Sequence, residues 1–99
     1  MPVQHMVWLK FHDGITADRI AHHLRELDSL RTLVPGIQLL GTGCNFTDRA
    51  RGFTHGLLVT CGTKTTLTAY LTHPRHVAVA TAIRAEAEVM ALDFEHADG

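Results

Sequence analysis

The sequence predicts an α+β fold of the split β-α-β, ferredoxin-like kind, with an antiparallel sheet that carries its helices on one face. Two observations predict the order β-α-β-β-α-α-β. Apolar residues switch between a period of two and a period near 3.6 along the chain. The breaks fall at turn chemistry, namely His12-Asp13-Gly14, Pro35-Gly36, the polar stretch 47–52 and Pro74. A third observation concerns assembly. The first strand is apolar on both faces, so one sheet face is left needing cover.

The spacing predicts the elements in turn. Val3 to Phe11 reads as a strand, with Val3, His5, Val7, Leu9 and Phe11 on one face and Gln4, Met6, Trp8 and Lys10 on the other. Thr16 is the expected cap of a helix whose apolar positions are Ile20, Leu24, Leu27, Leu30 and Val34, ending before Pro35-Gly36. Ile37 to Phe46 is the second strand, where Gly41 and Gly43 suggest a bulge or a close backbone approach. Phe53 to Cys61 is the third, placing Phe53, His55, Leu57, Val59 and Cys61 on one face. A short helix follows through Leu67, Tyr70 and Leu71. Pro74 then breaks it and opens a further helix marked by Val77, Ala80, Ile83 and Ala87, with Arg84 beside them. Val89 to Glu95 is the last strand, and the tail 96–99 is expected to fray. The whole of 1–99 reads as one domain.

Composition excludes several function classes. The formal net charge is -1 with no basic stripe, which argues against nucleic acid or anionic membrane as partner. No apolar run approaches the ~20 residues that span a bilayer, and the N-terminus lacks a signal-peptide pattern. Two cysteines make no disulfide framework, so the expected location is the reducing cytoplasm. The open second sheet face, carrying Met6, Trp8, Leu58 and one face of the last strand, calls for a second copy packed sheet to sheet, a homodimer.

Histidine is the compositional outlier, at eight residues. The corner around Pro74 gathers Tyr70, His73 and His76, and a phenol beside an imidazole is an acid–base pair in waiting. Tyr70 taken alone reads first as a core tyrosine whose hydroxyl finds any partner. His76 falls in the first turn of a helix, where the dipole disfavours imidazolium and leaves a neutral base near pH 7. His73 and Pro74 read as structural, fixing the corner. His5 and His55 fall in the apolar sets of two strands, and each needs a hydrogen-bond partner if buried, from the core or from a polar cavity. No Cys-x-x-Cys or His-Glu-x-x-His is present, and no metal is assigned. Gly41-Thr42-Gly43 is no phosphate loop, and Cys44 and Cys61 read as packing residues.

The chain resembles the stress-responsive α/β-barrel (Dabb) domain family over nearly its whole length. The resemblance is carried by His5-Met6-Val7-Trp8-Leu9-Lys10-Phe11, Val34-Pro35-Gly36-Ile37, Gly43 with Asn45, Gly52-Phe53-Thr54-His55, the Tyr70…His73-Pro74-Arg75-His76 signature and Asp93-Phe94. It implies a dimeric α+β barrel. It is strongest to the family's plant polyketide cyclases, which close a linear poly-β-keto thioester by aldol condensation without metal or cofactor. Their histidine base matches His76, their tyrosine matches Tyr70, and their further pocket histidines match His5 and His55. Where they carry aromatic residues on the first helix, this chain has His23, Leu24 and Leu27.

The expected site therefore has His76 and Tyr70 as the catalytic pair, with His5, His55, Val7, Leu9, Leu57 and Leu24 as substrate-binding walls. The expected ligand is a polyketide-like or aromatic small molecule, handled by a cofactor-free lyase or isomerase. The alternative is a non-catalytic, stress-responsive or ligand-binding dimer.

Overall fold

β1 (Val3–Phe11) lies in the interior of a four-stranded antiparallel sheet of order β2-β3-β1-β4, seen in a computed structural model that describes residues 1–97. β2 spans Ile37–Cys44, β3 His55–Cys61 and β4 Ala87–Glu95. The helices are α1 (Ala17–Asp28), α2 (Lys64–Thr72) and α3 (Pro74–Arg84). This is the predicted ferredoxin-like α+β architecture. On the inner face of β1, Val3, His5, Val7, Leu9 and Phe11 are all buried. Leu57, Val59 and Cys61 join them from β3, and the helices close the layer with Leu27, Leu67, Tyr70, Val79 and Ile83.

Local chemistry sets the helix boundaries. The Thr16 hydroxyl accepts the Arg19 N–H at 3.2 Å and caps α1, while Asp18 sits in the first turn. Thr63 caps α2 in the same way, accepting the Thr66 N–H at 3.1 Å. α1 is shorter than its apolar spacing predicts. It stops at Asp28, and Ser29–Thr32 tighten into a 3-10 turn. The Ser29 hydroxyl donates to the Glu26 carbonyl at 2.7 Å, a local bond that competes with helix continuation. Leu30 still reaches the core from this turn.

Other boundaries shift as well. β2 ends at Cys44, leaving Phe46 95% exposed, and β3 begins at His55 rather than Phe53. The irregularity in β2 lies between Ile37 and Leu39, not at Gly41 or Gly43, which have open space where a side chain would stand. β4 begins at Ala87, so Ala87 belongs to the sheet, and α3 buries Val79 and Ile83 instead of Val77. The expected frayed tail is tied down at its start, where the His96 N–H donates to the Pro2 carbonyl at 3.3 Å. Residues 98 and 99 lie outside the described residues.

The outer sheet face carries apolar residues from all four strands. Met6 pairs with Leu58 and Leu92, and Trp8 pairs with Gly56 and Met90. Trp8, Leu39, Leu58, Met90, Leu92 and Phe94 are all exposed on it, Leu92 at 63%. Polar residues stand only at its ends, where the Thr60 hydroxyl donates to the Gln4 amide oxygen at 2.7 Å and, at the other end, Lys10 lies opposite Glu88. No helix of the described residues is long and apolar enough to cross a membrane.

Gly36 links α1 to the sheet and tests this packing. Its φ is +93°, and a Cβ there would stand 2.6 Å from the Thr66 hydroxyl at the start of α2. Gly14 has a similar φ of +89° with nothing near it. Gly14→Ala is expected to cost about 1 kcal/mol of backbone strain, whereas Gly36→Ala adds a clash and should cost about 2 kcal/mol or more. Thermal melts of the two variants check this; equal shifts would remove the proposed contact with α2.

Candidate active site

The site is built on the corner between α2 and α3. Pro74 forces His73 into extended backbone, at φ -62° and ψ 133°, and α2 stops. His73 then caps the next helix, its Nδ1 accepting the Arg75 N–H at 3.1 Å, with Pro74 in the first position. The corner brings the Tyr70 and His76 rings to a centroid separation of 4.7 Å. His5 approaches from β1, its ring 6.1 Å from Tyr70 in edge contact.

Hydrogen bonds fix the imidazoles. His76 Nδ1 lies 3.0 Å from the Leu71 carbonyl, which can only accept, so Nδ1 carries the proton. The neutral ring therefore keeps its lone pair on Nε2. Burial lowers the pKa of His76, helped by the nearby His5 and Arg84 and opposed by the Leu71 bond. The direction matches the expectation, but desolvation rather than the helix dipole is the leading cause. His5 Nδ1 donates to the Asp93 carboxylate of β4, a hydrogen bond across the register that sets His5 opposite Asp93. Carboxylate-oriented imidazole keeps its Nε2 in a defined direction.

Tyr70 is fully buried, and its hydroxyl has no hydrogen-bond partner among the described residues. Burial, with a smaller push from Cys61, raises its pKa to about 12. The phenol thus stays a donor through neutral pH. An orphaned buried hydroxyl costs ~1–3 kcal/mol until something accepts from it.

A cavity of about 60 Å³ opens between sheet and helices, bounded by His5, Val7, Leu9 and Leu57 on the sheet side and by His76 and Arg84 of α3. Five of the expected residues thus meet at one place. Tyr70 stands behind them, in contact with the His5 and His76 rings but not in the cavity wall. His55 and Leu24 are not brought there. His55 pairs with Leu9, four residues along β1 from His5 and so ~13 Å away. Its ring packs against Phe11 at 5.4 Å, and its Nδ1 bonds the Thr54 hydroxyl at 2.8 Å. Leu24 packs at the edge of the core and faces a separate shallow depression with Arg25 and Asp28.

Sequence reasoning missed two features. Asp93 was legible only through register: it shares its alternation with Val89 and Ala91, and that face is the face of His5. His23 is the second. It is 1% exposed, stacks on Phe11 at 5.8 Å and bonds Glu86 at 2.8 Å, while Arg19 holds the same carboxylate oxygen at 2.6 Å. Arg19 and then His23 hold the Glu86 carboxyl below the usual range. This network fastens α1 to the turn before β4. No group of three or more His, Cys, Asp or Glu among the described residues is placed to hold a metal ion.

The profile of the stress-responsive A/B barrel domain matches residues 3–96. The chain belongs to that family. Within it, the chain is 30% identical over 79 residues to olivetolic acid cyclase of Cannabis sativa, covering 78% of each chain. It is 25% identical over 97 residues to the stress-response A/B barrel domain-containing protein HS1 of Arabidopsis thaliana, covering 95% of this chain and 89% of that one. A dimeric ferredoxin-like protein of unknown function from Jannaschia sp. CCS1 superposes with a TM-score of 0.86 at 26% identity, over 97% of this chain and 100% of that one. Proteins similar to this chain thus include one named as an enzyme and one described as of unknown function.

The unpartnered phenol makes a sharp stability prediction. Tyr70→Phe removes a hydroxyl that bonds nothing among the described residues, so in thermal melts it should leave stability unchanged or raise it by about 1 kcal/mol, the low end of that cost. A loss of more than that would mean the hydroxyl already has a structural partner.

Proposed function

We propose that the protein is a cofactor-free small-molecule enzyme that closes a linear poly-β-keto substrate by aldol-type condensation, with His76 as base and Tyr70 as hydrogen-bond donor. The observation that carries this reading is the pairing of a buried, unsatisfied hydroxyl with an imidazole whose Nδ1 is already committed to a carbonyl. One group lacks only an acceptor, and the other lacks only a proton to take. The similarity to olivetolic acid cyclase supports the choice of reaction.

The steps follow from those two groups. His76 Nε2 removes a proton from a carbon flanked by carbonyls, and the electron pair moves onto oxygen as an enolate. Tyr70, behind the cavity wall, donates to the developing negative charge once the wall parts enough for the substrate oxygen to reach its hydroxyl. The enolate carbon attacks a distant ketone of the same chain, forming the C–C bond. The imidazolium then returns its proton to the new alkoxide, leaving enzyme and proton count unchanged. His5, oriented by Asp93, holds a substrate oxygen. Val7, Leu9 and Leu57 shape the apolar wall.

The same reading takes two copies, sheet face on sheet face, which would cover Trp8, Leu58 and Leu92. The dimeric Jannaschia neighbour supports it. A competing reading, ligand binding without turnover, is favoured by one observation: 60 Å³ holds only a few atoms, and a polyketide needs the cavity to widen.

His76→Ala separates these readings. Loss of turnover by ~10²–10⁴-fold with an unchanged melting temperature supports the enzyme, and unchanged ligand binding without any wild-type turnover supports the binding protein. The pH profile adds a check. Neutral His76 is the active form and its pKa lies below 6.5, so the rate should rise with pH through a value under 6.5 and be level by pH 7. An acid limb centred above 6.5 would assign the base elsewhere. For the dimer, sedimentation of the wild type should give twice the monomer mass, and Trp8→Glu should halve it; a stable wild-type monomer sinks that part.

A further inference from the structure

The cavity wall holds three polar side chains, His5, His76 and Arg84, and all three are basic. No carboxylate belongs to the wall. Asp93 is engaged by His5, and Glu86 is engaged by Arg19 and His23. Arg84 itself is exposed and makes no ion pair or side-chain hydrogen bond among the described residues. It stands in the last turn of α3, and His76, Ala80, Ile83 and Arg84 line the cavity at i, i+4, i+7 and i+8, one continuous stripe. Helical side chains lean toward the N-terminus, so the Arg84 guanidinium leans back along the stripe toward His76. Its charge reaches that ring, since Arg84 and His5 both depress the imidazolium there.

We propose that Arg84 is a specificity-determining residue that pairs with a carboxylate of the substrate, so that the site selects small anionic carbonyl compounds over neutral ones. This rests on the reading of the cavity as the substrate site. Guanidinium is always charged and presents a planar fork that matches a carboxylate in two bonds. With no carboxylate paired to it among the described residues, the charge is available to a ligand. The wall between Arg84 and His76 is alkyl, from Ala80 and Ile83, so a carbonyl-bearing carbon lying against it would have its carboxylate at Arg84 and its acidic proton toward His76.

The test uses acetoacetate and its methyl ester, which differ in the charged group and share an acidic carbon. Calorimetry should show the wild type binding acetoacetate about tenfold more tightly than the ester. Arg84→Gln should erase that preference without weakening the ester, and Arg84→Lys should keep part of it. In the wild type, the preference should shrink with added salt. Equal affinity for the two probes, binding of neither, a salt-independent preference, or equal weakening of both in Arg84→Gln would overturn the proposal. Exchange of the acidic protons in D₂O, above the spontaneous rate and dependent on His76, reports separately on catalysis. Exchange without a charge preference removes the Arg84 assignment alone. A charge preference without exchange removes the catalytic reading and leaves the anion site standing.

Discussion

Pro74 excludes His73 from helical backbone space, and the geometry of the site follows from that exclusion. Two helices of nine and eleven residues meet at one extended residue. His73 cannot continue α2, so its ring is free to cap α3 instead. Tyr70, at the end of one helix, then faces His76, at the start of the next. A continuous helix would set these two residues six apart, on largely opposite faces. The corner converts that separation into ring contact, and the Leu71 carbonyl, left without a helical partner at the end of α2, becomes the acceptor that fixes the His76 tautomer.

The sheet beneath this corner is divided sharply by its alternation. The inner face of β1 places one imidazole among aliphatic side chains and has it satisfied by Asp93 from the neighbouring strand. The outer face carries no such polar provision at its centre. The hydrophobic effect acts on both faces, but the helices cover only one. Hence the same nine residues that build the cavity also build the surface proposed for a second copy, and the two roles are separated by nothing more than odd and even positions.

The sequence made the order of elements, the corner at Pro74, the cap at Thr16 and the inward face of β1 legible, because each rests on local rules: period, proline geometry and capping. What it hid depends on register or on competition. His55 shares the face of His5, yet face alone does not give position along the strand, and the antiparallel pairing carries it to Leu9. Asp93 was invisible as a partner for the same reason, being 88 residues from His5 in sequence. The premature end of α1 reflects a serine bond that apolar spacing does not encode. The depressed pKa of His76 was anticipated from a helix terminus, but burial dominates, and burial is a property of the assembled layer.

The strand order has a consequence for synthesis. β4 is the last of the four strands to leave the ribosome, and it supplies the carboxylate that partners His5. Until then the chain from β1 through α3 holds the His5 imidazole without its hydrogen-bond partner. Closure of β4 onto β1 therefore completes the sheet and the His5–Asp93 contact in one event, which ties the appearance of a finished pocket to the arrival of a finished fold.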